Sequence, residues 1–260
     1  MHNFSVGTLE TYYNLGQSGF TYVETEYGFQ ILGGPKRLRT FVLGDHPDLE
    51  LPDVVGPIYG THKSKFLDSK QVEIVNRLDK FDGIVRKRKD ILVSPRNWAR
   101  NYDVKFRAAT PDDIPALELI HKKWMTAKMD DTKTMRNMFP TRRYINCARV
   151  GVRDPSNYVV RMSNECFQVA YVSGCHAYGL AGIGLWRGWL AQASDLDLFD
   201  VLAGRGVTHY NSGIGMGKSL KRTKTKYPYD LVTWYQHSRS KSKKITTLQQ
   251  ALDFVDVISV

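Results

Sequence analysis

Residues 207–235 read VTHYNSGIGMGKSLKRTKTKYPYDLVTWY. The stretch starts with a short apolar and aromatic run, passes through a glycine-rich turn at 212–217, becomes strongly basic, and ends in a second run of β-branched and aromatic residues. This pattern predicts a strand, a turn, a basic helix and a second strand. Backbone N–H groups at such a turn attract anions, so the stretch is predicted to hold a phosphate-bearing cofactor or a polyanion.

The sequence GKS at residues 217–219 is similar to the end of a phosphate-binding P-loop. That pattern needs a glycine five residues before Gly217, where this chain has Ser212. The chain after the turn is also too short for the remaining strands and the metal-binding aspartate of a P-loop domain. A nucleoside triphosphatase is therefore disfavoured. The alternative to an anion site is a turn that exposes a solvated basic helix.

The composition is that of a globular protein. The chain has 260 residues, of which 42% are hydrophobic, which allows one large domain or two small ones with ample core. No apolar run approaches the roughly 20 residues of a membrane span, and the first residues do not have the pattern of a signal peptide. The three cysteines, Cys147, Cys166 and Cys175, have no metal-site spacing. These features predict a reduced, cytoplasmic protein without a membrane partner or a metal site.

The net charge of +11 is concentrated in two basic clusters, at residues 86–89 and 218–244. Aromatic residues alternate with cations in the second cluster, a pattern that can stack unpaired bases. A basic patch is the electrostatic footprint of a nucleic-acid-binding protein, although it also suits an anionic cofactor. The residues predicted to bind nucleic acid are Lys218, Lys221, Arg222, Lys224, Lys226, Arg239 and Lys241.

Outside the opening stretch, the hydrophobic pattern predicts the order of the other elements. From residue 104 it predicts a strand at 104–109, a helix at 112–125, a weaker helix within 128–146, and strands at 158–162, 167–173 and 176–186. A helix at 195–203 follows, with Ser194 as its N-cap, and a last helix is predicted at 247–257. Before residue 104, the sequence predicts β-structure at 20–44, a helix at 70–81, and a connector or hairpin at 89–103.

This order, β-α-α-β-β-β-α-β-α-β, resembles that of the GNAT superfamily of N-acyltransferases. The segment RAATPDDIPAL at 107–117 looks like a GNAT first strand and helix, and LFDVLAGRGVTHYNSG at 198–213 resembles the later helix and strand. The pattern is also similar to that of the aminoacyl-transfer enzymes of the FemAB kind. The resemblance implies an α+β fold with a GNAT-like mixed central sheet flanked by helices in a domain at 104–260. Residues 1–103 would form an extra N-terminal α+β region.

The resemblance also implies a catalytic site. In GNAT-like folds the reaction centre lies where the fourth and fifth strands splay, and a tyrosine often protonates the leaving thiolate. Tyr227 is the positional candidate for this role and Tyr210 the alternative. His176 is a candidate general base, and Glu165 could hold a water that acts as a base. Each of these side chains also has an ordinary structural explanation.

The donor implied by the resemblance is acetyl-CoA or a related acyl-CoA. The segment LWRGWLAQAS at 185–194 takes the place of the GNAT pyrophosphate loop but lacks its glycine spacing. An aminoacyl-tRNA is therefore an alternative donor. The residues predicted to bind the donor are Trp186, Arg187, Gln192, Ser194, Asn211 and Ser212.

The sequence thus leads to three functional hypotheses. The first is an acyltransferase whose acceptor is an amine on nucleic acid, with DNA favoured because some phage DNA-modifying enzymes, including those of the Mom kind, resemble GNATs. Such an enzyme would act in the cytoplasm of the host cell. The second is a non-catalytic nucleic-acid-binding protein on a GNAT-like scaffold. The third is a transferase that uses aminoacyl-tRNA, so that the basic surface binds tRNA.

Overall fold

The computed structural model describes residues 21–24, 29–34, 37–42, 58–60, 69–81, 89–131, 141–185, 187–214 and 224–236. The strands are β1 (Thr21–Glu24), β2 (Phe29–Gly34), β3 (Arg37–Val42), β4 (Ile58–Gly60), β5 (Ser69–Arg77), β6 (Arg107–Ala108), β7 (Tyr158–Met162), β8 (Cys166–Ser173), β9 (His176–Gly184), β10 (His209–Ile214) and β11 (Tyr229–Gln236). The helices are α1 (Lys89–Asn101), α2 (Ile114–Asp131), α3 (Thr141–Gly151) and α4 (Leu190–Gly204).

The chain forms two compact units. The first consists of Met1–Glu73 with Leu231–Val260, and the second of Ile74–Asp230. These units differ from the predicted domains 1–103 and 104–260, whose boundary stays a prediction. In the first unit, β2 lies between β1 and β3 and is antiparallel to both. Strand β4 is parallel to β3 and antiparallel to β11.

The second unit contains a mixed sheet with the strand order β10-β9-β8-β7-β6. The pairs β6–β7, β7–β8 and β8–β9 are antiparallel, whereas β10 runs parallel to β9. Helix α4 packs over β7 and β8 and against α1, and helices α2 and α3 pack together over β8 and β9. The observed order from β6 to β10, β-α-α-β-β-β-α-β, confirms the predicted α+β class and the GNAT-like mixed sheet flanked by helices.

The core on the α4 side of this sheet positions the candidate site. Leu196, Phe199 and Leu202 recur at helical spacing on α4 and are buried against Ala177 of β9 and Tyr210 of β10. This periodic apolar stripe holds α4 against the sheet along its length.

Two predicted elements are wrong. Residues 70–81 were predicted to be a helix but form β5 and a 3-10 turn at Leu78–Lys80. Four consecutive side chains, at 73–76, are buried, as in a strand covered on both faces, and such a run cannot be distinguished from a helix by period alone. Residues 89–101 form α1 rather than a connector or hairpin, with Pro95 inside the helix.

Three other predictions differ from the structure only in their bounds or lie outside it. Helix α4 begins at Leu190 instead of 195. The residues at 190–193, Leu-Ala-Gln-Ala, all favour a helix. Thr110 and Asp113 form a capping box before the second helix, in which Thr110 N donates to Asp113 Oδ2 at 2.8 Å. The predicted helices at 218–226 and 247–257 fall largely or wholly outside the described residues.

Candidate functional site

Strands β9 and β10 pair over a short length and then part. Their register joins His209 to His176, Tyr210 to Ala177 and Asn211 to Tyr178. Beyond these pairs β9 continues to Gly184 and β10 to Ile214. The parallel strands therefore open toward their carboxyl ends, which is where the GNAT resemblance placed the reaction centre.

Glycines of β9 form the floor of this opening. Gly182 pairs with Gln168 of β8, so both residues face the α4 side of the sheet. A Cβ atom at Gly182 would meet nothing within 4 Å, whereas a Cβ atom at Gly179 would collide with the Tyr210 hydroxyl. The floor is thus open at Gly182, and the Tyr210 hydroxyl lies over Gly179.

Two polar residues of α4 border this floor. The Nε2 group of Gln168 donates to Oδ1 of Asp195 at 2.8 Å and to Oγ of Ser194 at 2.9 Å. Ser194 is fully buried, and Asp195 is partly buried. The side chain of Gln168 therefore fixes the Asp195 carboxylate on the side of the sheet where Gly182 leaves space.

The Asp195 carboxyl is the titratable group of the site. Its removal from water raises its pKa to about 6. The hydrogen bond from Gln168 and the positive charges of Lys224 and Lys226 oppose this rise. A carboxyl with a pKa near neutrality can accept and release a proton at physiological pH, which is what a general base requires.

A hydrogen-bonded network fixes one of these lysines. Lys224 Nζ donates to the Ser212 carbonyl oxygen, and Asn76 Nδ2 donates to the Lys224 carbonyl oxygen at 2.9 Å. The Ser212 hydroxyl donates in turn to Asn76 Oδ1. The second lysine, Lys226, lies 5.6 Å from the centre of a Trp189 ring. The site thus combines one carboxylate with two ammonium groups.

The two candidate tyrosines lie side by side in the core below this site. Tyr227 is 2% exposed, stacks on Phe81 at 5.6 Å and meets the edge of Phe199 at 5.2 Å. Tyr210 also meets Phe199, at 5.1 Å. Burial raises the pKa of both phenols, so both stay protonated at neutral pH. The Tyr210 hydroxyl lies over Gly179, which follows the last residue of β9 that pairs with β10. This position makes Tyr210 the better candidate of the two tyrosines.

Glu165 and Arg187 are paired with each other. Arg187 Nη2 lies 2.6 Å from Glu165 Oε1, and the guanidinium also lies over the rings of Trp98 and Tyr102 at 5.5 and 5.6 Å. The ion pair lowers the pKa of Glu165, which makes this carboxylate a weak base. Glu165 stands at the correct end of the sheet, but its contacts are those of a residue that anchors the loop at 185–189.

Several groups of the segment predicted to hold a coenzyme A pyrophosphate already have partners within the protein. The N–H groups of Leu185 and Leu190 already donate to Glu165 O and Arg187 O. Gly188 packs against the Trp98 ring, which leaves no free glycine loop. Ser194 lies inside α4 and not at its start, so its N–H is not a free helix-end donor. Coenzyme A in the standard GNAT position is therefore not supported by this loop.

Three other predicted residues have distinct environments. Asn211 Oδ1 accepts a hydrogen bond from Gly213 N at 2.7 Å, which stabilises the turn. Gln192 Oε1 is buried and has no hydrogen-bond partner among the described residues. His176 stacks on His209 at 4.9 Å, at the amino ends of β9 and β10. The structure therefore does not bring His176 to the opening, which lies at the other end of these strands.

The predicted nucleic-acid residues are only partly within the structure. Lys224 and Lys226 are described, whereas Lys218, Lys221, Arg222, Arg239, Lys241 and the donor-site residue Trp186 lie outside the described residues. Within the described part of the chain, no group of three or more histidine, cysteine, aspartate or glutamate residues could hold a metal ion. Nor does any helix there have the length and apolar character needed to cross a membrane.

Sequence reasoning missed the two central residues, Asp195 and Gln168. The predicted helix at 195–203 puts Asp195 in the first helical turn, where the helix dipole favours an acidic side chain and no further role is indicated. The signal that could have identified it is an acidic residue directly beside the apolar stripe of Leu196, Phe199 and Leu202. An acidic side chain next to a buried apolar stripe must either accept hydrogen bonds or become neutral through a raised pKa.

Comparison with solved structures supports the fold. The chain is similar to a conserved protein of unknown function from Bacteroides thetaiotaomicron (TM-score 0.62, 11% identity, covering 89% of each chain). It is also similar to the C-terminal DUF2156 domain of a protein described as a lysylphosphatidylglycerol synthetase from Agrobacterium fabrum (TM-score 0.56, 11% identity, 97% of this chain and 94% of that one). A third similar structure is L-PGS from Bacillus licheniformis (TM-score 0.52, 13% identity, 96% and 91%). No protein-family model and no curated protein matches the chain.

Proposed function

We propose that the second unit catalyses the transfer of an acyl group from an activated donor to an amine, with Asp195 as the general base. The observation that carries this proposal is the Asp195 carboxyl, whose pKa is raised to about 6, beside the opening between β9 and β10. An amine is protonated at neutral pH and cannot attack a carbonyl until it loses a proton. Asp195 supplies the acceptor for that proton.

The residues of the site account for the proton balance of the reaction. The Asp195 carboxylate takes one proton from the acceptor ammonium and later releases it to solvent. The neutral nitrogen then forms a bond to the acyl carbon, while the bond from that carbon to the oxygen or sulfur of the carrier breaks. The Tyr210 hydroxyl donates a proton to the leaving atom and regains one from the nitrogen. Its raised pKa keeps it protonated for this step.

The two lysines have a role consistent with this chemistry. The positive charges of Lys224 and Lys226 lower the pKa of Asp195, so that more of it is ionised at neutral pH. The same charges disfavour the protonated form of a nearby amine and favour its neutral form. They also attract the phosphate groups of an anionic acyl carrier.

Aminoacyl-tRNA is the donor to test first. Arg187 and Gly188 of the segment that would hold a coenzyme A pyrophosphate already contact Glu165 and Trp98, which favours testing another donor first. One of the neighbours in fold is described as a lysylphosphatidylglycerol synthetase, a name that includes an aminoacyl group. The resemblance of the sequence to FemAB-like enzymes supports the same donor class. Acetyl-CoA remains the second donor in the test.

We keep an amine on nucleic acid, with DNA favoured, as the proposed acceptor. The support for it is the net charge of +11. Most of the lysines and arginines that motivated it lie outside the described residues. If those cations bind phosphates, the affinity for duplex DNA or tRNA will fall steeply as the salt concentration rises. Binding that does not change with salt would contradict this part of the proposal.

The proposal is tested by donor discharge. Purified protein is incubated with bulk tRNA charged with labelled amino acids, or with labelled acetyl-CoA, in the presence of a panel of primary amines. We expect the wild-type protein to transfer label from one donor, and Asp195→Asn to do so at least about 100-fold more slowly. The matched control is Asp200→Asn, which changes an exposed aspartate on the same helix.

Each outcome of this experiment distinguishes between the candidate functions. Transfer from tRNA alone identifies an aminoacyltransferase, and transfer from acetyl-CoA alone identifies an acetyltransferase. Equal activity in wild type and Asp195→Asn would remove Asp195 as the base. If neither donor is discharged in the presence of any amine, the acyltransferase is rejected in favour of a binding protein without catalysis.

A further inference from the structure

One buried acceptor in the site is unused by the chemistry described so far. The carbonyl oxygen of Gln192, Oε1, is shielded from solvent and has no hydrogen-bond partner among the described residues. A buried acceptor without a donor is less favourable than one that accepts a hydrogen bond. A functional role is one recognised explanation for a buried polar atom without a partner.

The helix geometry places the Gln192 residue near Asp195. Residues three apart on a helix are neighbours on one face, so Gln192 and Asp195 lie on the same side of α4. Phe199, one turn beyond Asp195, touches the Tyr210 and Tyr227 rings. This side of α4 therefore faces β10 and the segment at 224–227, where the sheet is open.

From this placement we propose that the Gln192 side chain, whose oxygen has no described hydrogen bond to lose, turns Oε1 into the opening, where this oxygen and the Asp195 carboxylate together bind the amino group of the acceptor. The inference rests on the proposed function, because it assigns the acceptor amine to that same site. A primary ammonium has three N–H donors and no acceptor, so it matches one carboxylate oxygen and one amide oxygen. Gln168 occupies only Oδ1 of Asp195 in the described hydrogen bonds, which leaves Oδ2 to face the amine.

This arrangement also explains a selectivity. A quaternary ammonium has the same charge as a primary ammonium but no N–H to donate. It could not donate a hydrogen bond to Gln192 Oε1 or to the Asp195 carboxylate. Its positive charge would still be attracted to that carboxylate. The site should therefore distinguish amines by their N–H groups and not only by their charge.

The experiment measures the binding of two small probes, ethanolamine and choline, by NMR titration of the full chain. We expect ethanolamine to bind roughly tenfold more tightly than choline, as the loss of a charge-assisted hydrogen bond implies. In Gln192→Met, which keeps the length of the side chain but lacks the acceptor, this preference should disappear. Asp200→Asn, on the exposed side of the same helix, should keep it. The melting temperature of each variant shows whether it is folded.

The result separates this inference from the proposed function. Equal affinity for the two probes in the wild type, absence of ethanolamine binding, or an unchanged preference in folded Gln192→Met would overturn it. In each of those cases the donor-discharge experiment can still succeed with Asp195 as base. Conversely, a Gln192-dependent preference without any acyl transfer would leave the amine site in place and reject the acyltransferase. If Gln192→Met fails to fold, Gln192→Glu gives the same test, because a second carboxylate should strengthen ethanolamine binding.

Discussion

The Nε2 atom of Gln168, on the central strand β8, lies 2.8 Å from Oδ1 of Asp195, on helix α4. This bond joins the sheet to the helix. It holds the Asp195 carboxyl group on the side of the sheet where Gly182 leaves open space. A hydrogen bond to the charged form of an acid favours that form. Gln168 therefore adjusts the pKa of Asp195 as well as its position.

Gln168→Met removes this hydrogen bond while keeping the length of the side chain. We expect the pKa of Asp195 to rise further above 6, because burial then acts with less opposition. The acidic limb of the pH–rate profile for acyl transfer should move to higher pH in the variant. The control is Asp200→Asn, which changes an exposed aspartate of the same helix that lies outside the site. A profile that does not move in Gln168→Met would show that Asp195 is not the group that titrates.

Asp195→Asn is expected to stabilise the protein at about pH 8, by about 1–2 kcal/mol. The folded-state pKa of this acid is raised above its unfolded value, so ionisation costs stability as the pH rises from about 4 to 6. Asparagine cannot ionise and can still accept from Gln168. Urea unfolding at about pH 8 and about pH 4.5 measures the difference, which should shrink at the lower pH. An equal effect at both values would indicate a cause other than ionisation.

The contact between Gly179 and Tyr210 can be tested by a double-mutant cycle. Gly179→Ala places a methyl group against the Tyr210 hydroxyl, and the overlap should cost about 1–3 kcal/mol. Tyr210→Phe removes the hydroxyl, so the alanine should cost less in the double variant. The coupling energy, measured from unfolding curves, should be at least about 0.5 kcal/mol. Additive effects would mean that the two side chains do not meet.

Gly188→Ala is expected to destabilise the second unit by at least about 2 kcal/mol. Gly188 has a φ of 51°, which an alanine adopts only with strain, and its Cβ atom would come within 2.7 Å of Trp98 Nε1. Gly204→Ala is the matched control, because a Cβ atom there would meet nothing within 4 Å. Its effect should be neutral or stabilising, since alanine favours a helix. Thermal unfolding of both variants checks the contrast.

Asp113→Ala should reduce stability at neutral pH by about 1 kcal/mol, as the loss of a helix-start carboxylate does. Arg107 and the Thr110 backbone lower the pKa of Asp113. Its contribution is therefore present above the unfolded pKa, near 3.9, and is lost as the pH falls through the folded pKa. The stabilities of wild type and variant should converge in acid. Exposed Asp112 is the control, and its replacement by alanine should have a smaller effect.

The order of elements was predictable because it depends on local patterns. The alternation at 158–162 and 167–173 and the box at Thr110 and Asp113 each specify their element without help from the rest of the chain. The strand at 69–77 was not predictable from its period. Its residues are buried on both faces, and only tertiary packing distinguishes such a strand from a helix.

The site was less predictable than the fold, because it depends on pairs that are distant in sequence. Arg187 and Glu165 were each predicted to act on a ligand, but they are ion partners. The sequence gives no sign of the bond between Gln168 and Asp195, and without that bond Asp195 has no evident role. Tyr210 was identified only as an alternative to Tyr227, since the absence of a side chain at Gly179 is what gives the Tyr210 hydroxyl its position.

The short pairing of β9 with β10 has a mechanical consequence. Their backbones are joined only near Tyr210 and its neighbours, so across this line the sheet is held largely by side chains, notably Phe199. Two strands joined by few backbone hydrogen bonds separate more easily than two strands paired along their whole length. Any widening of the opening would therefore begin at the unpaired carboxyl ends of β9 and β10 and not at the paired residues 209–211.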